Sequence, residues 1–119
     1  MKIEYQKFIR REDLRENPDK VYLFGDNTIH VGYGGQAGEM RGEANAIGIP
    51  TLKEPGVFFT DNEFETNKQL IDEAFRQLPS DKTVVIPSDG LGTGIARLDR
   101  VAPRTFKYLI KKIEELEKE

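Results

Sequence analysis

Two short apolar runs, "KVYLF" at residues 20–24 and "KTVVIP" at residues 82–87, each lead into a glycine-rich loop. That pairing constrains the fold more than any other feature of the chain. Both runs are too short for a helix and are rich in β-branched or aromatic residues, so they read as strands covered on both faces. Such strands need helices above and below them. The helices are legible too. "DNEFETNKQLIDEAFRQL" carries Phe64, Leu70, Ile71, Ala74, Phe75 and Leu78 at helical spacing, with Asp61 expected as its N-cap. A closing helix is expected to use Val101, Phe106, Leu109, Ile110, Ile113 and Leu116, with "KKIEELEKE" as its charged outer face.

The remaining segments complete an alternating order. "KIEYQKFI" alternates like a strand, with Ile3, Tyr5 and Phe8 expected on one side. "RREDLRENP" is a short polar turn or helix stopped by Pro18, and "QAGEMRGEA" has room for a short helix weakened by Gly38 and Gly42. "NAIGIPT" is a further strand, expected to end at Pro50. Strands alternating with helices predict one α/β domain over residues 1–119, built on a mostly parallel sheet. In such sheets ligands bind beyond the carboxyl ends of the strands. If the two apolar strands are parallel, their glycine loops lie on one edge and form a two-loop clamp.

Composition narrows the function. With 37% hydrophobic and 33% charged residues, the chain reads as globular rather than disordered. It has no cysteine and a single histidine, His30, which argues against disulfides, thiolate or multi-histidine metal sites and Ser-His-Asp catalysis. No metal and no cofactor is expected. A net charge of −3 with the two signs mixed argues against a broad nucleic-acid surface. Without a long apolar run or a signal-peptide pattern in "MKIEYQKFIRRED", no membrane partner is expected and the cytoplasm is the expected compartment.

Chemistry concentrates in the loops. The first, within "VYLFGDNTIHVGYGGQAGEMRG", spends Gly25, Gly32, Gly34, Gly35, Gly38 and Gly42 after the apolar strand; the second is "SDGLGTGIARL". Alternating Gly90, Gly92 and Gly94 allow successive amides to turn toward one point and form an anion-binding nest, to which Thr93 adds a hydroxyl. Neither loop is a Walker A sequence or a GxGxxG dinucleotide fingerprint. Turns needed only for folding remain the alternative at this stage.

The order of motifs resembles the macro domain, an ADP-ribose-binding α/β module. "REDL" with Asp13, "VYLFGDN" ending at Asn27, "GYGGQA" and "IPSDGLGTGIARL" follow the family's succession of acid, strand-terminal asparagine, glycine triplet and "GTGI" loop, and "LFGDN" with "GIPT" matches short phage and bacterial macro-like proteins. The resemblance runs from about Ile9 onward as scattered motifs. It implies a single three-layer domain with a mostly parallel mixed sheet, trimmed of peripheral elements. It also implies a partner: ADP-ribose, a related adenine nucleotide or an ADP-ribosylated macromolecule.

On that resemblance Asp13 accepts from the adenine amino group, and Asn27 binds the distal ribose. Gly34 and Gly35, with the adjacent Gln36, bring amides to the ribose and diphosphate, while Gly92, Thr93, Gly94 and Ile95 close from the other side. Each has a plainer reading, Asp13 as a helix-capping acid and Asn27 as an Asx turn. Hydrolysis of ADP-ribosyl or ADP-ribose 1″-phosphate bonds stays open. One catalytic branch of the family uses a Lys/Asp pair; Lys53 lies near its lysine position, but Ala96 occupies the aspartate position and Asp99 follows three residues later. Asn27 offers a second route through an activated water, with His30 as the near-neutral acid–base group. A protein that holds or senses the nucleotide without turnover, or an interaction domain whose glycines only make turns, are the rivals.

Overall fold

In β2 (Lys20–Asn27), Val21 and Leu23 face one side of the sheet and Tyr22 and Phe24 the other, and all four are buried. A strand with this two-residue period needs cover on both faces. The computed structural model, which describes residues 1–119, supplies it. α3 (Phe64–Phe75), α4 (Leu98–Val101) and α5 (Pro103–Glu117) pack on the Val21–Leu23 face. The shorter α1 (Arg11–Glu16) and α2 (Ala37–Met40) cover Tyr22 and Phe24. The chain is therefore an α/β domain with helices on both sides of one sheet.

That sheet has the order β1-β5-β2-β3-β4, with β1 (Ile3–Gln6), β5 (Thr83–Pro87), β2 and β3 (Ala46–Glu54) parallel and only β4 (Val57–Phe58) antiparallel. β5 and β2 are thus parallel neighbours at the centre. Their carboxyl ends, and the two glycine loops that leave them, lie side by side, as the apolar runs predicted.

Several expectations are corrected. β3 does not stop at Pro50 but runs through it, with Pro50 opposite Asp26. Only Leu52 and Glu54 pair with β4, so Pro50 lies where the outer edge of β3 is unpaired and a missing N–H is tolerated. Asp61 does not cap α3. A 3-10 turn (Asp61–Glu63) opens that helix, and the Asp61 carboxylate accepts instead from the Arg104 and Thr105 amides at 2.9 and 3.0 Å and from the Thr105 hydroxyl at 2.9 Å. α5 begins with Ala102 at its cap position and Pro103 after it, so it has no side-chain acceptor of its own for those orphan amides. Val101 belongs to the separate α4, because a proline disfavours helical backbone at the residue before it and Ala102 sits at φ −142°.

Ile110 lies at the rim of α5 while Leu109, Ile113 and Leu116 are buried. Ile3 and Tyr5 share the side that faces α5, as expected; Ile3 packs on the larger core, and Tyr5 lies exposed with its hydroxyl donating to Glu117. Phe8 falls beyond the strand altogether.

Candidate functional site

A cleft of about 620 Å³ opens along the carboxyl edge of the sheet. It crosses the ends of four adjacent strands, from Gln6 after β1, through Ser88 and Gly92 after β5 and Asn27 at the end of β2, to Thr51 and Leu52 in β3. Three inter-strand spacings make that span about 14 Å. The size is in the range of pockets that enclose a small organic ligand.

The middle of the cleft is backbone. No amide from Gly32 to Ala37, nor from Leu91 to Ala96, donates to an acceptor within the chain. Two runs of free N–H groups therefore flank the same space, which is the arrangement that holds an anion without a net cation. The second loop is anchored at its base. A Cβ on Gly92 would meet Leu98 Cβ at 3.0 Å and Thr51 Cγ2 at 3.2 Å, and its φ of +80° excludes other residues without strain. The loops meet across the cleft where Ile95 Cδ1 lies 3.0 Å from where a Gly34 Cβ would stand. Gln36 lines the cleft, while its Oε1 is buried beneath the surface and accepts no hydrogen bond within the chain.

The floor carries the one buried acid of the site. Asp26 is 6% exposed; Oδ1 accepts from Arg41 at 2.6 Å and from the Asn27 amide at 2.8 Å, and Oδ2 lies 2.8 Å from His30 Nδ1. Its room exists because Gly48 opposite has no side chain: a Cβ there would stand 2.5 Å from Oδ2. Burial pushes the Asp26 carboxyl up, but the hydrogen bonds from Arg41, His30 and the Asn27 amide, with the Arg41 charge, hold it below the ordinary carboxylate range. Arg41 also donates to the carbonyls of Gly32 at 2.7 Å and Val31 at 3.2 Å. The carbonyls at the start of the first loop thus point at Arg41.

The residues expected from sequence divide clearly. Asn27, Gly34, Gly35, Gln36, Gly92, Thr93, Gly94 and Ile95 all line the cleft. Asn27 is at the same time spent on an Asx turn: Oδ1 accepts from the Ile29 and Val31 amides and Nδ2 donates to the Val31 carbonyl at 2.7 Å. Asp13 does not line the cleft. Its Oδ2 accepts from the Arg10 amide and from Gln6 Nε2, both at 2.9 Å, in the role of a helix-start acid. Lys53 is not brought in either; it lies in β3 and its ammonium pairs with Glu63. His30 is 68% exposed at a φ of +56°, outside the lining but tied to it through Asp26. Sequence reasoning missed Arg41, Gln6, Phe8 and Thr51, which line the cleft from positions with no motif of their own.

No group of three or more His, Cys, Asp or Glu side chains is placed to hold a metal ion, and no helix is long and apolar enough to cross a membrane. Comparison with curated proteins and with solved structures finds no match. A family model does match, over residues 4–112, and the chain belongs to that family, which is described as a family of unknown function (DUF7831).

Proposed function

We propose that the protein binds ADP-ribose or a close derivative in the two-loop cleft. The observation that carries the reading is the pair of free-amide runs on neighbouring parallel strand ends, facing one another across a cleft about 14 Å long. A diphosphate fits the amides. The order of motifs that resembles the macro domain supports the same ligand. Holding without turnover is the favoured form, because Lys53 is paired away from the cleft and Asn27 is engaged in its turn. The reading carries with it the cytoplasmic placement expected from the sequence.

Hydrolysis is the second reading, favoured by one observation: Asp26 holds His30 by Nδ1, which leaves Nε2 free as a base at the rim. Incubation with an ADP-ribosylated protein and with ADP-ribose 1″-phosphate separates the two, since a holder releases neither ADP-ribose nor phosphate.

The binding test is calorimetry with ADP-ribose against AMP and NAD, repeated on Gly94→Glu. Gly94 has no positive φ and nothing within 4 Å of an added Cβ, so the substitution leaves the fold intact while a carboxylate enters the diphosphate position. Gly35, at φ +60°, does not offer so clean a variant. ADP-ribose is expected to bind the natural chain and not the variant, with melting temperatures within about 2 °C. Equal affinity in the two proteins refutes the cradle; no heat with any nucleotide refutes the reading.

A further inference from the structure

The charge balance of the whole chain conceals a local excess. Residues 97–111 hold five cations, Arg97, Arg100, Arg104, Lys107 and Lys111, against the single acid Asp99, although the chain as a whole carries −3. All five are exposed and none takes part in an ion pair, whereas Arg11, Arg15, Lys20 and Arg41 each hold a carboxylate. The carboxylate of Asp61 is spent on the Arg104 and Thr105 amides, not on the Arg104 guanidinium. That guanidinium lies over the Phe64 ring, 3.8 Å from its centroid, which fixes its plane and leaves its N–H edge without an acceptor in the chain.

The placement of these cations works against the helix that carries them. A helix favours acids in its first turn and bases in its last. α5 has no acid in its first turn and no base in its last; Arg104 and Lys107 occupy its first half, and Glu114, Glu115 and Glu117 its end. Helix stability alone would reverse that order. Arg104, Lys107 and Lys111 are three and four residues apart, so they line one outer face of α5. They rise about 10 Å, the length of about three phosphates along one strand of a duplex. Arg97 and Arg100 extend the excess back toward α4.

We propose that the outer face of α4 and α5 is a docking strip for the phosphodiester backbone of a nucleic acid. Charge complementarity selects a polyanion, and the rest of the surface selects which one. A membrane-surface helix needs a free apolar face, but Leu109, Ile113 and Leu116 are buried in the core and Ile110 is the one large apolar side chain of α5 left exposed. A phosphodiester chain presents an anion at every unit whatever its sequence, which matches a row of cations with no pocket between them. The strip is narrow and the remainder of the chain is acidic, so binding is modest, independent of sequence and strongly dependent on salt. It lies outside the glycine-loop cleft and does not rest on the nucleotide reading.

The test titrates the full chain into a labelled DNA duplex of mixed sequence and follows anisotropy at several salt concentrations. Binding is expected with a dissociation constant on the order of 10 μM at about 50 mM salt, and a log–log salt slope of about −4. Lys107→Gln with Lys111→Gln should weaken it about ten- to hundredfold and reduce the slope by about 2. Neither lysine has a partner to lose, so the melting temperature should stay within about 2 °C. The control removes the same charge at the amino edge of the sheet, Lys2→Gln with Lys82→Gln, and should change affinity less than about threefold. Equal loss in the two double variants reduces the effect to net charge and overturns the strip, as does absence of DNA binding at low salt. Polyglutamate, or vesicles of phosphatidylserine and phosphatidylcholine, bound as tightly as DNA would overturn the choice of nucleic acid. ADP-ribose titrated into the Lys107/Lys111 variant should behave as with the natural chain, so the strip and the cleft can fail separately.

Discussion

Replacing Asp26 with asparagine tests how far the first loop depends on one buried charge. In the folded protein the Asp26 side chain is 3% exposed and that of Arg41 is 14% exposed, with 2.6 Å between Arg41 and Oδ1. The amide of asparagine is close in shape but neutral, and it must present an N–H₂ group either to Arg41 or to the Asn27 amide side, or to His30. The Arg41 guanidinium then keeps its two carbonyl partners but loses its counter-charge. Breaking a buried pair by removing one partner costs about 3–5 kcal/mol. Because Arg41 retains the Gly32 and Val31 carbonyls and some exposure, the low end applies, about 3 kcal/mol. A chain of 119 residues unfolds with an entropy near about 0.25 kcal/mol/K, so the melting temperature should fall by about 12 °C.

Calorimetric melting at neutral pH measures this directly. Acid titration supplies the second readout. The folded Asp26 carboxyl is held below its ordinary range, so its contribution is fully present above the unfolded carboxylate value and is lost as pH falls through the depressed folded value. The natural chain should therefore lose stability on acidification more steeply than Asp26→Asn. A double replacement, Asp26→Leu with Arg41→Met, should recover at least half of the lost stability, since an apolar pair removes the stranded charge. A melting shift below about 3 °C in Asp26→Asn, with an unchanged acid slope, would refute the assignment of a stabilising buried pair.

Two further outcomes follow from the fold. Asp61→Ala should cost about 1–2 kcal/mol, or about 4–8 °C, by uncapping α5 from across the chain, and amide exchange should quicken first at Arg104 and Thr105. Gly48→Ala places a Cβ 2.5 Å from Asp26 Oδ2 and 2.7 Å from Asp26 Cβ and should cost about 1–3 kcal/mol in thermal melting, a loss that Asp26→Ala does not relieve because the Cβ at position 26 remains.

The sheet was legible because its central strands are short, apolar on both faces and alternate with helical segments, the pattern of a covered parallel sheet. Helix α3 and the bulk of α5 were legible from their spacing. What sequence periodicity could not reach were the points where distant segments complete one another. Asp61 reads as a local cap because it precedes a helical stripe, yet α5 needs it more: "VAPRT" offers alanine where a cap is required. Pro50 reads as a stop until β4 is known to leave that part of the β3 edge unpaired. Both errors come from treating a local signal as if no other segment competed for the same residue.

The candidate site divides along the same line. Its glycine lining was readable because the cradle is made of backbone, and backbone freedom leaves a direct trace in the positions of Gly34, Gly35, Gly92 and Gly94. Side chains leave no such trace, since the same residue type serves a ligand or the fold equally well. Asp13 and Lys53 went to the fold, one to the start of α1 and the other to Glu63. Asn27 serves its turn while still lining the cleft. Arg41 went the other way: a residue with no motif around it joins Asp26 to the loop carbonyls. A cleft lined by free backbone amides, whose only buried acid is already neutralised by Arg41, fits the proposed anionic ligand. In the second reading, turnover draws on His30, whose Nε2 is not consumed by the fold.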